Sequence, residues 1–212
     1  MKNNDYYNAL LNSLPASYQA WFEEEKKFLE SNIKTDATVL EVGSGDGRSI
    51  FDLLPITKNI VGVDHDDNAI KTGKESFKDY ESIKFVKAEA EDLPFENDSF
   101  DYIICMSSFA NFSDKKYRIL EEMKRVLKSD GRIIISTYSE KALSERLNIY
   151  KNLKIPTKEI KENGTVVFDD SLGDNISEQF SKEELISIFE TSGLQVDLIK
   201  EVDIAYLCLL KK

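Results

Sequence analysis

The run Val39-Leu40-Glu41-Val42-Gly43-Ser44-Gly45-Asp46-Gly47 limits what this chain can become. Residues 38–42 carry three apolar side chains in five, two of them β-branched valines, which is the composition of a buried strand. Three glycines at alternate positions follow at once. Glycine accepts φ > 0 and has no side chain, so such a loop turns sharply and lets a ligand approach its backbone. Residues 48–54 read as a short helix that Pro55 stops. Strand, glycine loop and helix N-terminus together suit a nucleotide-like or anionic ligand. The competing interpretation, a tight strand-to-helix turn with no ligand, has to contend with what stands downstream.

Residues 59–64 form a second buried strand that ends in Asp64, about twenty residues beyond the first glycine. In a doubly wound sheet an acid at this place accepts hydrogen bonds from two ribose hydroxyls. Its other role is to cap the next helix. His65 is the only histidine, and its position suits stacking beside an adenine ring better than catalysis. Asp66 or Asp67 caps a helix expected to run to Tyr80. Residues 83–87 form a third strand, followed by an acidic loop over 88–95. A carboxylate there can accept from an exocyclic amine such as adenine N6, and side-chain chemistry alone does not rank Glu89, Glu91 and Asp92. Residues 100–106 are nearly continuous in apolar character, as a central parallel strand is. Substrate chemistry is expected just past its end, at 107–112. A helix over 113–127, a turn at Ser129-Asp130-Gly131 and a fifth strand over 132–137 follow.

The flanks are less regular. Residues 5–33 suggest two helical pieces broken near 13–16, with proline in the first turn of the second. Tyr18, Trp21, Phe22, Phe28 and Leu29 make an apolar stripe, preceded by Tyr6 and Tyr7. This 1–33 segment is either a helical lid over the pocket or a pair of helices packed on the sheet edge. Residues 138–180, with a helix over 138–151, a short strand over 164–168 and a turn cluster at 171–175, form the natural substrate-covering insertion. Ser181 and Glu184 form a capping box by pattern, opening a helix that ends at Gly193. Residues 194–202 and 204–210 then pair as an antiparallel hairpin. The expected architecture over 1–212 is one α/β domain. It has a Rossmann-like, doubly wound sheet of seven strands, mostly parallel with an antiparallel C-terminal strand, and helices on both faces.

The charge balance restricts partners. Lys and Arg number 28 against 39 Asp and Glu, a net charge of −11. Such a chain repels phosphate backbones and anionic lipid unless it gathers a basic patch, and the sequence holds only short lysine pairs. A small-molecule substrate is therefore expected, with no nucleic acid and no membrane, in a monomer or homodimer. Cys105 and Cys208 each sit in an apolar run and are expected as buried free thiols; with one histidine they make no His/Cys zinc site, and no metal is expected. The first residues lack an apolar signal core and no run reaches membrane-spanning length, so a cytoplasmic location is expected.

The motifs taken together resemble the class I S-adenosylmethionine-dependent methyltransferases, in the branch called methyltransferase type 11. The likeness is strong over 35–137 and looser at the terminal helix and hairpin. Residues 41–47 resemble the family's first motif, where the glycine loop passes the methionine part of the cofactor. Asp64 matches the ribose acid. Residues 88–95 resemble a loop that usually reads Gly-Asp-Ala before an acid and Leu-Pro-Phe, so Glu89 stands for the adenine-contacting Asp, one carbon longer. Ser99-Phe100-Asp101 and residues 125–131 also fit, with Ser-Asp-Gly where Pro-Gly-Gly is common. The resemblance implies S-adenosyl-L-methionine as cofactor and S-adenosyl-L-homocysteine as product. It implies contacts from Glu41, Gly43, Ser44, Gly45 and Gly47, from Asp64 and His65, from Glu89, Ala90 and Glu91, and from Met106. Many relatives carry His near the position of Asn111, so no imidazole base is offered there and no catalytic residue is named.

The activity so implied is methyl transfer to a small acceptor through N, O or C, mainly by positioning. Candidates to line the acceptor pocket are Tyr6, Tyr7, Tyr18, Trp21, Asn111 and Tyr138. Two other functions compete. One is a cofactor-binding regulatory protein or pseudoenzyme without methyl transfer. The other is an NAD(P)-dependent oxidoreductase, whose fingerprint wants a third glycine where Arg48 stands.

Overall fold

Four strands form where the apolar runs are densest. In this computed structural model, which describes residues 14–169, 171 and 175–212, β1 is Val39–Val42, β2 Ile60–Asp64, β3 Ile83–Lys87 and β4 Phe100–Met106. β5 is Leu127–Tyr138. A separate antiparallel ribbon follows, made of β6 (Thr157–Ile160), β7 (Val166–Phe168) and β8 (Ile176–Ser177). β9, Gln195–Val202, and β10, Ala205–Lys211, close the chain as an antiparallel hairpin. The helices are α1 (Ala16–Asn32), α2 (Arg48–Leu53), α3 (Asp67–Ser76), α4 (Lys116–Val126), α5 (Leu143–Asn152) and α6 (Lys182–Thr191).

The main sheet has seven strands in the order β3-β2-β1-β4-β5-β10-β9. β1 to β5 pair in parallel, and β10 runs antiparallel to both its neighbours. The chain leaves β1 in one direction and returns to β4 on its other side, so the order reverses between those two strands. In open α/β sheets a ligand crevice forms at the carboxyl ends of such a pair.

Strand side chains alternate between faces. Val39, Tyr102, Ile104, Met106 and Ile134 point to one core, with Trp21 and Leu29 of α1, Ile50 and Leu53 of α2 and Ile70 of α3. Leu40, Ile103, Cys105, Ile133 and Ile135 point to the other, with Leu120 and Met123 of α4 and Leu185 and Phe189 of α6. The same alternation puts Glu41 on the face of Val39, under α1 and α2.

Local detail departs from the sequence expectations at identifiable places. α3 stops at Ser76 rather than Tyr80, because Phe77 leaves helical geometry to pack its ring 4.4 Å from Phe51 and 5.5 Å from Phe85. Ser129-Asp130-Gly131 does not turn the chain into a new element. It is a bulge inside β5, where Leu127 pairs Phe100 and Arg132 pairs Tyr102. Gly131 serves close approach, since a Cβ there would stand 2.7 Å from the Asp101 carbonyl oxygen. Pro15 is the N-cap of α1, not part of its first turn. The 138–180 segment carries three short strands where one was expected. The Ser181–Glu184 capping box is formed. Tyr6, Tyr7 and the first helical piece lie outside the described residues.

Candidate functional site

The loop after β1 and the loop after β4 are tied together at the reversal point. Ser108 Oγ donates to Gly43 O at 2.7 Å. Gly43 has φ +71°, and a Cβ on it would lie 2.6 Å from Ser108 Cβ, so this glycine allows the two loops to touch. Gly45 differs. It has φ +53°, and a Cβ built there meets no protein atom within 4 Å, so its backbone faces open space at the carboxyl edge of the sheet. Ser44 is buried and its amide, like that of Gly43, donates to Val63 O at 2.9 Å.

Asp64 is preset by this loop. Its Oδ2 accepts from Gly45 N–H at 2.8 Å, and its Oδ1 accepts from Asp66 N–H at 3.0 Å. The capping role falls to Asp66, whose Oδ1 accepts from the amides of Asn68 and Ala69. Asp64 is thus free of helix capping, and its carboxylate keeps accepting capacity for two hydroxyls. His65 is exposed, with Nδ1 3.5 Å from Asp64 Oδ1. In the next loop the acids differ in their surroundings. Glu91 pairs with Lys115 at 2.7 Å, whereas Glu89 is exposed and forms no side-chain hydrogen bond or salt bridge among the described residues. Ala90 beside it is half-buried. Met106 is buried at the end of β4, and Ser107 turns the chain at φ +67°.

Beneath the glycine loop Glu41 belongs to a buried group of charges whose other carboxyls, Glu25 and Asp52, sequence reasoning missed. Glu41 is buried; its Oε1 accepts from Ser49 Oγ, and its Oε2 has no partner. Burial pushes its carboxyl up to about 8. Glu25 of α1 is fully buried. Its Oε2 pairs with Arg48 Nη2 at 2.7 Å, and its Oε1 accepts from Ser107 Oγ at 3.2 Å. The other face of the Arg48 guanidinium lies 4.1 Å from the Phe22 ring centroid. Burial also raises Asp52 to about 6. Three carboxyl groups, those of Glu25, Glu41 and Asp52, thus act on one guanidinium. Only a buried carboxylate in an otherwise apolar helix stripe, Glu25 between Phe22 and Phe28, signalled this in the sequence.

The aromatic candidates gather over the end of β5. Trp21 is fully buried and its Nε1 donates to Ser136 Oγ at 2.7 Å. Tyr18 and Tyr138 share a hydrogen bond at 3.2 Å, and their rings stand edge to face. Burial raises both phenols, Tyr18 to about 12, so each keeps its proton at neutral pH. Asn111 is exposed in the turn Phe109–Asn111 and is not brought to this aromatic group by any contact. Among the described residues no cluster of His, Cys, Asp or Glu has the makings of a metal site, and no helix is long and apolar enough to cross a membrane.

Comparison with known proteins agrees with this geometry. The sequence profile of a family described as methyltransferase domain matches residues 33–193. The chain is 32% identical over 165 residues to the uncharacterized methyltransferase YcgJ of Bacillus subtilis, covering 70% of this chain and 64% of that protein. It is 28% identical over 179 residues to the ubiquinone/menaquinone biosynthesis C-methyltransferase UbiE of Hahella chejuensis, covering 78% of this chain and 70% of the other. The crystal structure of a SAM-dependent methyltransferase from Aquifex aeolicus superposes with a TM-score of 0.69 at 19% identity, covering 97% of this chain and 96% of that one. The family match and the fold define a class I methyltransferase domain. The chain belongs to this methyltransferase family, whose cofactor is S-adenosylmethionine.

Proposed function

We propose that this chain transfers a methyl group from S-adenosylmethionine to a small-molecule acceptor held over the carboxyl ends of β4 and β5. The observation that carries the reading is Asp64, locked to Gly45 at the reversal of strand order beside a glycine whose backbone faces open space. Asp64 would accept from the ribose hydroxyls, Glu89 from the adenine amine, and His65 would lie beside the ring. Gly43, Ser44, Gly45 and Gly47 would shape the path of the methionine part, with Ala90, Glu91 and Met106 along its walls. When bound, the cofactor supplies an electrophilic methyl carbon on a cationic sulfonium.

Under the loop lies a buried polar floor. Glu25 and Glu41 lie beneath the loop, and Glu41 Oε2 is an orphaned buried acceptor. Arg48, standing where the dinucleotide fingerprint has its third glycine, weighs against the oxidoreductase. The chain's own contribution to the step is orientation and dryness. Tyr18 and Tyr138 remain neutral phenols that donate and orient, and neither has the acidity to act as a base. α1 covers the face of the site by its Glu25 anchor. The 138–180 segment covers it from the other side, where Glu178 N–H donates to Ala110 O at 2.7 Å. Holding the acceptor in line with the sulfonium supplies much of the rate. Incubation with S-adenosylmethionine and panels of amine, phenol and activated-carbon acceptors tests this, read as release of S-adenosylhomocysteine. Binding of the cofactor with no turnover on any acceptor would favour a regulatory protein instead.

A further inference from the structure

The segment after β5 holds a buried cation for which the site above has no use. Arg146 of α5 is fully buried. Its Nη1 donates to Gly164 O at 3.1 Å and to Gln179 Oε1 at 2.9 Å, and its Nη2 donates to Ser177 O. Every one of these acceptors is neutral. Its Nε has no partner, and no carboxylate pairs with the guanidinium among the described residues. Its Cζ stands 4.9 Å from the ring centroid of Tyr138, a weak substitute for an anion. Removing a guanidinium from water without a counter-charge costs several kcal/mol, about as much as many whole folds have to spare. Pinning α5 to the ribbon needs donors and not charge. A retained, uncompensated charge points to an anion that arrives with a ligand.

The location narrows what that ligand is. Tyr138 ends β5, with its ring 5.0 Å from Trp21, and the indole of Trp21 bonds Ser136. Ser136 pairs with Met106 at the end of β4, and Ser107 N–H donates to Ser136 O at 2.9 Å. Arg146 therefore sits on the acceptor side of the sheet edge, two strands across from the glycine loop and away from Asp64. Tyr138, half-buried beside the guanidinium, offers an apolar face to the body of a molecule whose charged end meets Arg146.

We propose that Arg146 is the anion subsite for the methyl acceptor, and that the acceptor bears a carboxylate. The inference rests on the methyltransferase reading and names its substrate class. Because Arg146 is covered, the β6–β8 ribbon parts from α5 when the acceptor enters, and the carboxylate takes the unpartnered Nε as the ribbon closes. The guanidinium fork matches a carboxylate bidentately, which the three neutral acceptors now occupying Nη1 and Nη2 reproduce only in part.

The test uses the whole chain loaded with S-adenosylhomocysteine. Benzoate, phenylacetate and octanoate are titrated calorimetrically against benzamide, phenylacetamide and octanamide. At least one acid is expected to bind about tenfold or more tighter than its amide, a difference of about 1.4 kcal/mol. Arg146→Met should erase that preference while S-adenosylhomocysteine affinity stays within about twofold, and Arg146→Lys should keep part of it. The proposal is overturned if no acid is preferred over its amide, or if the preference survives in Arg146→Met. If Arg146→Met loses S-adenosylhomocysteine instead, the carboxylate it receives is the cofactor's own and the acceptor assignment falls. Should Arg146→Met not fold, the acid-to-amide comparison on the native chain and on Arg146→Lys decides. Failure of the native chain to bind S-adenosylhomocysteine at all overturns the parent reading, an outcome separate from the others.

Discussion

Asp64 shows how much a single side chain settles before any ligand arrives. Its carboxylate holds Gly45 N–H, so removing it loosens the loop as well as the proposed ribose contact. Asp64→Ala is expected to weaken S-adenosylhomocysteine binding by about 1.5–3 kcal/mol, with Asp64→Asn losing less; unchanged affinity in the alanine variant would sink the ribose assignment. The two loop glycines separate binding from folding. Gly45→Ala meets no protein atom, so it should lower stability by only about 1 kcal/mol, for its left-handed backbone, while weakening the cofactor about tenfold or more. Gly43→Ala collides with Ser108 and should cost about 1–3 kcal/mol of stability in denaturant unfolding. Equal effects of the two on binding and on stability would contradict this division. Glu41 gives a pH signature. Its folded value of about 8, and that of Asp52 at about 6, exceed the ordinary carboxyl range near 4. Across that window these two carboxyls hold protons in the folded chain that the unfolded chain has released, so the stability they contribute is fullest at and below pH 4 and falls as pH rises towards 8. Asp52 contributes to the lower half and Glu41 to all of it. Glu41→Gln should flatten the slope between about pH 6 and 8 in thermal melts, and an unchanged slope there would refute the assignment.

At the scale of elements, α1 is secured to the cofactor loop by one buried ion pair. Glu25→Ala leaves Arg48 without its anion and Ser107 without its acceptor, and should cost about 3–5 kcal/mol in urea unfolding. A loss below about 1 kcal/mol would show that α1 is held by its apolar stripe alone. The strands β1 to β4 were legible because continuous apolar runs next to glycine or acidic loops permit few alternatives. The boundary of α3 was not, since Phe77 is as good a helix residue as its neighbours until Phe51 and Phe85 come within reach. Gly131 in β5 misled for a related reason. A Ser-Asp-Gly triplet is a turn signal by local chemistry, but here the glycine answers to the carbonyl of Asp101, distant in sequence. Asp64 was legible from spacing. Glu25 and Arg146 were not, because each matters through a partner from another part of the chain; 107–112 was legible as a place, but not the bonds of Ser107 to Glu25 and Ser108 to Gly43.

For the molecule as a whole, the reversal of strand order between β1 and β4 decides where everything else goes. It places the glycine loop, Asp64 and the acidic loop on one half of the sheet edge. The aromatic group and Arg146 lie on the other half. In the proposed function the first half takes the cofactor, and the second, beside α1 and the β6–β8 ribbon, takes the acceptor. The most direct test of this division is calorimetric titration of the chain with S-adenosylmethionine and S-adenosylhomocysteine, with NADH as control. Micromolar binding of both sulfur compounds, and none of NADH, is the predicted result. Folded protein that ignores both sulfur compounds, or that prefers NADH, would contradict the central claim.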